Sequence, residues 1–212
     1  TLEMPTGYGK TITALNMASW LGLSQGYRKI IYVAPYLSIL DQNSKVFEES
    51  MGRYAMEHHS LAFLPTGKDL GPDVAENLHT GQLAVEAWAG AIVCTSFQQL
   101  FKALFPGRAQ DTLRRAFLHD SIIIIDEPQI ISPDSWNVFL CGLEAAAEYY
   151  NLRVIFLSAT MPPFKYGLLR EPAKLAVQAE EQVERYQVVQ CQSMGEKRLA
   201  EYLLSRPEKT QA

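Results

Sequence analysis

Two short segments of the 212-residue chain carry side chains that could act on a phosphorylated ligand. The first is Met4–Thr11, which reads Met-Pro-Thr-Gly-Tyr-Gly-Lys-Thr. In such a loop, glycines let backbone N–H groups surround phosphates, a lysine contacts the β- and γ-phosphates, and a Ser or Thr hydroxyl binds Mg²⁺. The segment therefore predicts a nucleotide site formed by Pro5, Thr6, Gly7, Tyr8, Gly9, Lys10 and Thr11. The strict pattern has a glycine where this chain has Met4, so a glycine-rich turn before an ordinary helix stays open as the alternative.

The second segment, Ile122–Gln129, places two acidic residues directly after a run of four isoleucines. Ligands bind at the carboxyl ends of strands in open α/β sheets. Asp126 is placed to hold Mg²⁺, and Glu127 to polarise the water that attacks a γ-phosphate. The alternative is a strand that simply ends in a solvated acidic turn.

A third segment, Ser158-Ala159-Thr160, also follows an apolar run directly. Taken alone it is ordinary turn chemistry. Together with Lys10 and Asp126 it gives three motifs at predicted strand ends, in the order phosphate loop, Asp-Glu and Ser-Ala-Thr. That order is far more specific than any one of the motifs.

The elements around these motifs alternate between short apolar runs and amphipathic helical patterns, which predicts an α/β fold with a mostly parallel central sheet flanked by helices on both faces. Because several runs are apolar without alternation, their strands should be buried on both faces. The predicted strands are Lys29–Ala34, Ser60–Leu64, Ala91–Thr95, Ser121–Asp126, Leu152–Ser158 and Tyr186–Val189, with the end of one more at Thr1–Glu3. The predicted helices are Lys10–Leu23, Ser38–Met51, Asp73–Trp88, Ser96–Phe105, Gln110–Phe117, Pro133–Tyr149 and Glu196–Leu204.

The three motifs resemble motifs I, II and III of superfamily 2 helicases, with the core Pro-Thr-Gly-x-Gly-Lys-Thr intact. This resemblance implies a RecA-like P-loop NTPase that uses ATP and Mg²⁺. In it, Lys10, Asp126 and Glu127 would be catalytic, Thr11 and Asp126 would bind the metal, and Ser158, Ala159 and Thr160 would couple nucleotide state to movement.

Two intervening segments, Ile31–Gln42 and Ile92–Phe105, are similar to the nucleic-acid-contacting motifs of the same superfamily. Together with the Asp-Glu-Pro-Gln box they look most like the CRISPR-associated helicase-nuclease of type I systems, over about Glu3 to Pro163. That family often has a histidine at the end of the box, where this chain has Gln129, which we include among the catalytic residues. The resemblance implies nucleic-acid contacts by Pro35, Tyr36, Ser38, Thr95, Ser96 and Gln98.

The same resemblance implies that residues 1–165 are the first RecA-like motor domain, truncated at its start, and that residues 166–212 are a linker and the incomplete start of a second one. The whole protein would move 3′ to 5′ on single-stranded DNA, with the CRISPR surveillance complex, a second motor domain and a nuclease domain as partners. The isolated chain should hydrolyse ATP poorly. Two alternatives stay open: another superfamily 2 DNA or RNA helicase, and a module that binds nucleotide or nucleic acid without turnover.

Composition limits how the chain could bind nucleic acid and which kinds of cysteine site or membrane segment it could contain. With 19 basic and 23 acidic residues the net charge is −4, so nucleic-acid binding must rest on local contacts rather than on a basic surface. The three cysteines form no Cys-x-x-Cys pair, which excludes a zinc ribbon or a disulfide scaffold and favours a reducing cytoplasm. No apolar run is long enough to span a membrane.

We expect solvent exposure for His58 and for the basic group Arg108, Arg114 and Arg115, with nucleic-acid contact as the alternative for the arginines.

Overall fold

A seven-stranded sheet forms the centre of the computed structural model, which describes residues 1–5, 8–52, 55–58, 83–164 and 167–176. Neighbouring strands pair in parallel throughout this sheet, in the order β3-β4-β2-β5-β6-β1-β7. The strands are β1 (Leu2–Glu3), β2 (Lys29–Ala34), β3 (Ala55–His58), β4 (Ile92–Ser96), β5 (Ser121–Asp126), β6 (Arg153–Ser158) and β7 (Leu175–Ala176).

Helices cover both faces of the sheet, which confirms the predicted fold class. The α-helices whose full extent is described are α1 (Lys10–Gln25), α2 (Leu37–Met51), α3 (Phe97–Leu104), α4 (Ala109–Thr112) and α5 (Pro133–Tyr150); residues 83–86 are also helical. Helices α1 and α2 pack on one face, and α3 and α5 pack on the other. Two 3-10 helices, Leu113–Phe117 and Pro128–Ile130, follow α4 and β5 respectively. None of the helices in the described ranges combines the length and the apolar character that crossing a membrane requires.

The central strands are buried on both faces, as their uninterrupted apolar sequences predicted. On β5, Ile122 and Ile124 pack with α1 and α2, whereas Ile123 and Ile125 pack with α3 and α5. Because side chains alternate along a strand, Asp126 extends to the same face as Ile122 and Ile124. The acidic residue at the end of β5 is therefore directed toward the face of the sheet that carries α1.

The strand order of the sheet brings the three predicted motifs together at the carboxyl ends of neighbouring strands. Strands β5, β6 and β1 are neighbours, and Asp126 lies opposite Leu157 while Glu3 lies opposite Ser158. The backbone N–H of Met4 donates to the Ser158 carbonyl at 3.3 Å. All three motifs thus begin at the carboxyl ends of adjacent parallel strands.

Some predicted elements lie outside the described residues: the strands at Ser60–Leu64 and Tyr186–Val189, the helix at Glu196–Leu204 and most of the helix at Asp73–Trp88. A strand that the sequence did not predict, β3, pairs with β4 at the edge of the sheet. Its sequence, Ala-Met-Glu-His, has no β-branched residue and no clear alternation, so the pattern offers no strand signal. All described residues belong to one compact unit, Thr1–Gln178.

A buried ionic cluster corrects two expectations about exposure. Arg114 is only 3% exposed and His58 only 5% exposed, although the sequence predicted solvated side chains. The Arg114 guanidinium contacts Glu86 Oε2 at 3.1 Å and Asp111 Oδ1 at 3.4 Å, and its carbon lies 5.6 Å from the centre of the Trp88 ring. Burial, reinforced by the Arg114 charge, lowers the pKa of His58, whose Nε2 lies 3.4 Å from the same Glu86 oxygen.

Arg115 is also engaged within the fold. Its Nε donates to the Ala103 carbonyl at 3.1 Å, and its Nη2 donates to the Leu104 carbonyl at 2.7 Å. These carbonyls belong to the last turn of α3, where a cation satisfies unpaired acceptors and complements the helix dipole. Of the three predicted basic residues, Arg108 alone has an exposed side chain.

Replacing Arg114 by methionine should lower the free energy of unfolding by about 3 kcal/mol, because the change leaves Glu86 and Asp111 without their buried cation. Urea unfolding of the wild type and the variant measures the difference. The matched control is Arg28→Met at an exposed arginine, which should stay within about 0.5 kcal/mol of the wild type. Equal destabilisation by the two changes would show that the cluster contributes nothing specific.

Candidate active site

The described part of the phosphate loop leads directly into α1. Gly9 precedes the helix with φ 77°, a left-handed conformation that glycine adopts without strain. Tyr8 is partly exposed and Lys10 opens the first turn of the helix. Met4, which departs from the glycine of the strict pattern, is 7% exposed and packs in the core with α1 and α2. Thr6 and Gly7 lie outside the described residues.

Lys10 and Glu127 form an ion pair between the phosphate loop and the Asp-Glu box. The Lys10 Nζ atom lies 2.6 Å from Glu127 Oε1, and both side chains are largely shielded from water. Burial alone would raise the pKa of Glu127, but hydrogen bonds from Lys10 and Gln129, with the Lys10 charge, outweigh it and lower that pKa. Glu127 is therefore an ionised carboxylate at neutral pH.

The Glu127 backbone is fixed in an unusual conformation. Its φ is 51°, in the left-handed region that few residues other than glycine adopt, and its N–H donates to the Leu157 carbonyl at 2.9 Å. Such strained backbone conformations persist where the surrounding packing and hydrogen bonds hold them in place, and they are often found at functional sites. Here the conformation turns the chain out of β5 into the 3-10 helix that begins at Pro128.

Gln129 and Ser158 hold the second oxygen of the Glu127 carboxylate. Gln129 Nε2 donates to Glu127 Oε2 at 2.6 Å, and the Ser158 hydroxyl lies 3.3 Å from the same oxygen. The Ser158 hydroxyl also lies 2.8 Å from Gln129 Oε1 and accepts the backbone N–H of Thr160 at 3.0 Å. The side chains of the second and third motifs are thus joined by direct hydrogen bonds, while Ala159 is exposed beside them.

Asp126 is buried behind this array, and its two oxygens differ. Oδ2 accepts a hydrogen bond from the Tyr32 hydroxyl at 2.5 Å, whereas Oδ1 is buried with no hydrogen-bond partner among the described residues. Burial raises the pKa of Asp126, and the hydrogen bond from Tyr32 acts against that rise. Burial and the nearby Asp126 also raise the pKa of Tyr32, so its hydroxyl keeps the proton that it donates.

The donor set around Asp126 fits a hard cation. A buried carboxylate oxygen that has no partner among the described residues, together with the Thr11 hydroxyl on α1, offers the oxygen ligands that Mg²⁺ prefers. Among the described residues no group of three or more His, Cys, Asp or Glu side chains converges on one point. A metal here would therefore take most of its ligands from phosphate and water, which is usual for Mg²⁺ at nucleotide sites.

The predicted nucleic-acid residues lie at the ends of β2 and β4, which are neighbours in the sheet. Tyr36 is 59% exposed, Ser38 and Gln98 are exposed, and Pro35 and Ser96 are partly exposed. Thr95 differs from the others because it is completely buried and its hydroxyl donates to the His58 carbonyl at 2.8 Å. Five of the six residues therefore lie together on an accessible surface at the carboxyl ends of β2 and β4. The sixth, Thr95, is buried and makes its hydrogen bond within the fold.

Comparison with known proteins agrees with this geometry. Residues 1–162 match the family described as type III restriction enzyme, res subunit. The chain belongs to this Res-subunit family. A curated relative, the CRISPR-associated nuclease/helicase Cas3 of Haloferax volcanii, is 33% identical over 179 residues, which cover 76% of this chain and 19% of the relative. The chain thus spans about a fifth of that relative's length, and the match confirms the resemblance that the motifs indicated.

Two solved structures share the fold of this Res-subunit family member. The crystal structure of T. fusca Cas3 with AMPPNP has a TM-score of 0.60 and 21% identity, covering 76% of this chain and 19% of the other. The DUF1998 helicase MrfA, bound to DNA and AMPPNP, has a TM-score of 0.57 and 17% identity, covering 84% of this chain and 24% of the other. These likenesses confirm the RecA-like fold predicted from the sequence.

Two polar residues near the site were missed by the sequence analysis. Tyr32 lies in the middle of the apolar run of β2, and Asn43 lies in the middle of α2. The one available signal was a hydroxyl-bearing residue inside an otherwise aliphatic strand, since a buried tyrosine needs a hydrogen-bond partner. No pattern in the sequence identifies Asp126 as that partner.

Proposed function

We propose that the chain is the first RecA-like motor domain of an ATP-dependent helicase that moves along single-stranded DNA in CRISPR interference. The observation that carries this proposal is the hydrogen-bonded array of Lys10, Glu127, Gln129 and Ser158 at the ends of adjacent parallel strands. Asp126, with one oxygen free of partners among the described residues, lies beside that array. Membership of the Res-subunit family and the helicase descriptions of the relatives support the proposal.

Lys10 and α1 would bind the phosphates of ATP. The Lys10 ammonium supplies a full positive charge, and the first N–H groups of α1 supply partial positive charge at the same place. Gly9 has no side chain, so a phosphate can approach the loop backbone closely at this position. Any other residue here would also be strained by the positive φ. The loop therefore offers an anion site built of backbone amides and one lysine.

Thr11 and Asp126 are the residues that we assign to Mg²⁺. The ligands would be the Thr11 hydroxyl and Asp126 Oδ1, which has no hydrogen-bond partner in the part of the chain that the structure describes. When bound, Mg²⁺ would supply positive charge that offsets the negative charge developing on the phosphates during transfer. Asp126 Oδ2 stays engaged with Tyr32, so Oδ1 is the oxygen of this carboxylate that remains for the cation.

Glu127 would orient the attacking water and accept its proton. Its lowered pKa keeps it in the basic form, and the left-handed turn at this residue sets the direction of its side chain. Gln129 and Ser158 hold its Oε2, so a displacement of Ser158-Ala159-Thr160 would reach the base through direct contacts. This is the physical basis on which we assign coupling to the third motif.

The remaining parts of the proposal concern the whole protein. We propose residues 1–165 as this motor domain and residues 166–212 as the linker and the start of a second motor domain. The partners would be that second motor domain, a nuclease domain and the CRISPR surveillance complex, in the cytoplasm.

The test of the proposed function is the ATPase rate of the full-length protein with single-stranded DNA, duplex DNA or RNA. Stimulation by single-stranded DNA is expected, stimulation by RNA alone would favour an RNA helicase, and tight nucleotide binding without hydrolysis would favour a non-hydrolysing module.

The nucleic-acid track should depend on Ser96 and Gln98 rather than on basic residues. The double change Ser96→Ala and Gln98→Ala removes two accessible polar side chains and should weaken single-stranded DNA binding about thirtyfold, since each hydrogen bond contributes about 1 kcal/mol. The salt dependence should be shallow, because few phosphates are neutralised by Lys or Arg and the slope scales with their number. Titration of labelled single-stranded DNA at two salt concentrations measures both quantities.

A matched control is available at the opposite end of the sheet. Ser24 and Gln25 are exposed residues of the same types in the last turn of α1, and their double replacement by alanine should leave DNA binding unchanged. A steep salt slope, or equal behaviour of the two double variants, would move the track away from the ends of β2 and β4. Arg108, the exposed arginine among the three considered, would then be the next position to change.

A further inference from the structure

The two oxygens of the Asp126 carboxylate have different side-chain partners among the described residues. Tyr32 Oη donates to Oδ2 at 2.5 Å, and Oδ1 has no hydrogen-bond partner within the described ranges. Asp126 is 7% exposed, so water does not readily satisfy the second oxygen. A buried acceptor without a partner is costly in a folded protein and needs an explanation, and a bound cation at this strand end would provide one.

The Tyr32 ring is fixed by its surroundings rather than by its hydroxyl. It is fully buried on β2, opposite Ile124 of β5, and its ring meets Phe47 edge to face at 5.0 Å between centroids. Because Tyr32 and Ile124 pack on the α1 and α2 face, Asp126 two residues further along β5 lies on that same face. The ring therefore presents its hydroxyl to the end of β5 as a fixed group.

Asn43 determines which way the Tyr32 hydroxyl points. Asn43 Nδ2, on α2, donates to Tyr32 Oη at 2.6 Å. A phenol hydroxyl has a single proton, so the oxygen that accepts from Asn43 must give its own proton to Asp126. The result is a directed chain of two hydrogen bonds from α2 through β2 to the end of β5.

We propose that Tyr32 is a positioning residue of the metal–nucleotide site, which restrains Asp126 through Oδ2 so that Oδ1 remains the ligand oxygen, with Asn43 fixing the Tyr32 hydroxyl. This proposal rests on the proposed function, since it assigns Asp126 to Mg²⁺. Residues that hold a metal ligand in place typically contribute 10- to 100-fold to metal affinity or activity. Tyr32 meets that description although it lies outside both nucleotide segments, Met4–Thr11 and Ile122–Gln129.

The test measures the affinity of AMPPNP for the full-length protein with Mg²⁺ and, separately, with EDTA. In Tyr32→Phe the ring and its packing on Phe47 are retained and the hydroxyl alone is lost. We expect the gain in affinity that Mg²⁺ provides to fall by about tenfold or more, with a matching rise in the Mg²⁺ concentration needed for half-maximal binding. The affinity in EDTA should stay at the wild-type value, which a general loss of structure would not allow.

Tyr27→Phe is the matched control, because Tyr27 lies in the same core, just before β2 at the opposite end from Asp126. It should leave both affinities unchanged. Wild-type Mg²⁺ enhancement in a folded Tyr32→Phe protein would overturn the assignment of Tyr32 while leaving the proposed function intact. Absence of Mg²⁺-dependent binding in the wild type would overturn both. If Tyr32→Phe does not fold, Asn43→Ala is the variant to measure. If Mg²⁺ increased the AMPPNP affinity of Asn43→Ala as much as it does in the wild type, the proposal would also be overturned.

Discussion

Replacing Lys10 by alanine should abolish ATP hydrolysis in the full-length protein while the fold is retained. The change removes the ammonium at the start of α1, whereas the backbone amides of the loop and helix remain. A fixed group that stabilises transition-state charge typically contributes about 10²–10³-fold to the rate, and we expect a loss of at least this size. Steady-state ATPase measurements together with a circular dichroism spectrum check the two halves of the prediction.

The control for Lys10→Ala is Lys45→Ala, which removes an exposed lysine from α2. It changes the net charge equally and should leave hydrolysis unaffected. Near-normal turnover in Lys10→Ala would remove the assignment of Met4–Thr11 as the phosphate loop. The pair of variants therefore separates a local role from a general effect of charge.

Glu127→Gln should bind ATP and fail to hydrolyse it. The amide keeps the size of the side chain and can still contact Gln129 and Ser158, but it cannot accept a proton from water. Loss of a general base typically costs about 10²–10⁴-fold in rate. Nucleotide affinity measured by fluorescence titration should stay near the wild-type value while the ATPase rate falls.

Asp126→Asn is the informative comparison for Glu127→Gln, because it makes the same chemical change at the neighbouring residue. Here the expected loss is in Mg²⁺-dependent affinity, since an amide is a weaker ligand than a carboxylate for this cation. Affinity in the absence of Mg²⁺ should be little changed. If both variants behave alike in nucleotide binding, the division of roles between the two acids is wrong.

The strands that carry the site were predictable because of where they lie in the sheet. The bounds predicted for β2 and β5 are those of the structure, Lys29–Ala34 and Ser121–Asp126. Both strands are central, so both of their faces require apolar residues and the runs are unambiguous. β3 at the edge of the sheet lacked that constraint, and its sequence did not indicate a strand.

Side-chain environments could be predicted less well than the backbone. Nothing in the sequence distinguishes Arg114 from Arg108, yet Arg114 is buried in an ionic cluster and Arg108 is exposed. The difference depends on Glu86, which reaches Arg114 from a segment distant along the chain. The burial of Thr95 and the Tyr32–Asp126 hydrogen bond have the same origin, because each depends on strands that become neighbours only in the folded sheet.

The position of β1 in the sheet has a consequence for the order of folding. Leu2 pairs with Leu157 of β6 and Leu175 of β7, so the strand before the phosphate loop has its neighbours far along the chain. Parallel pairing between such distant segments carries a large loop-closure cost and forms slowly. During synthesis β1 and the phosphate loop would emerge before β6 and β7, so β1 would gain its strand partners only after those two segments have followed. Nucleotide binding would therefore report completion of the domain rather than an early step in its folding.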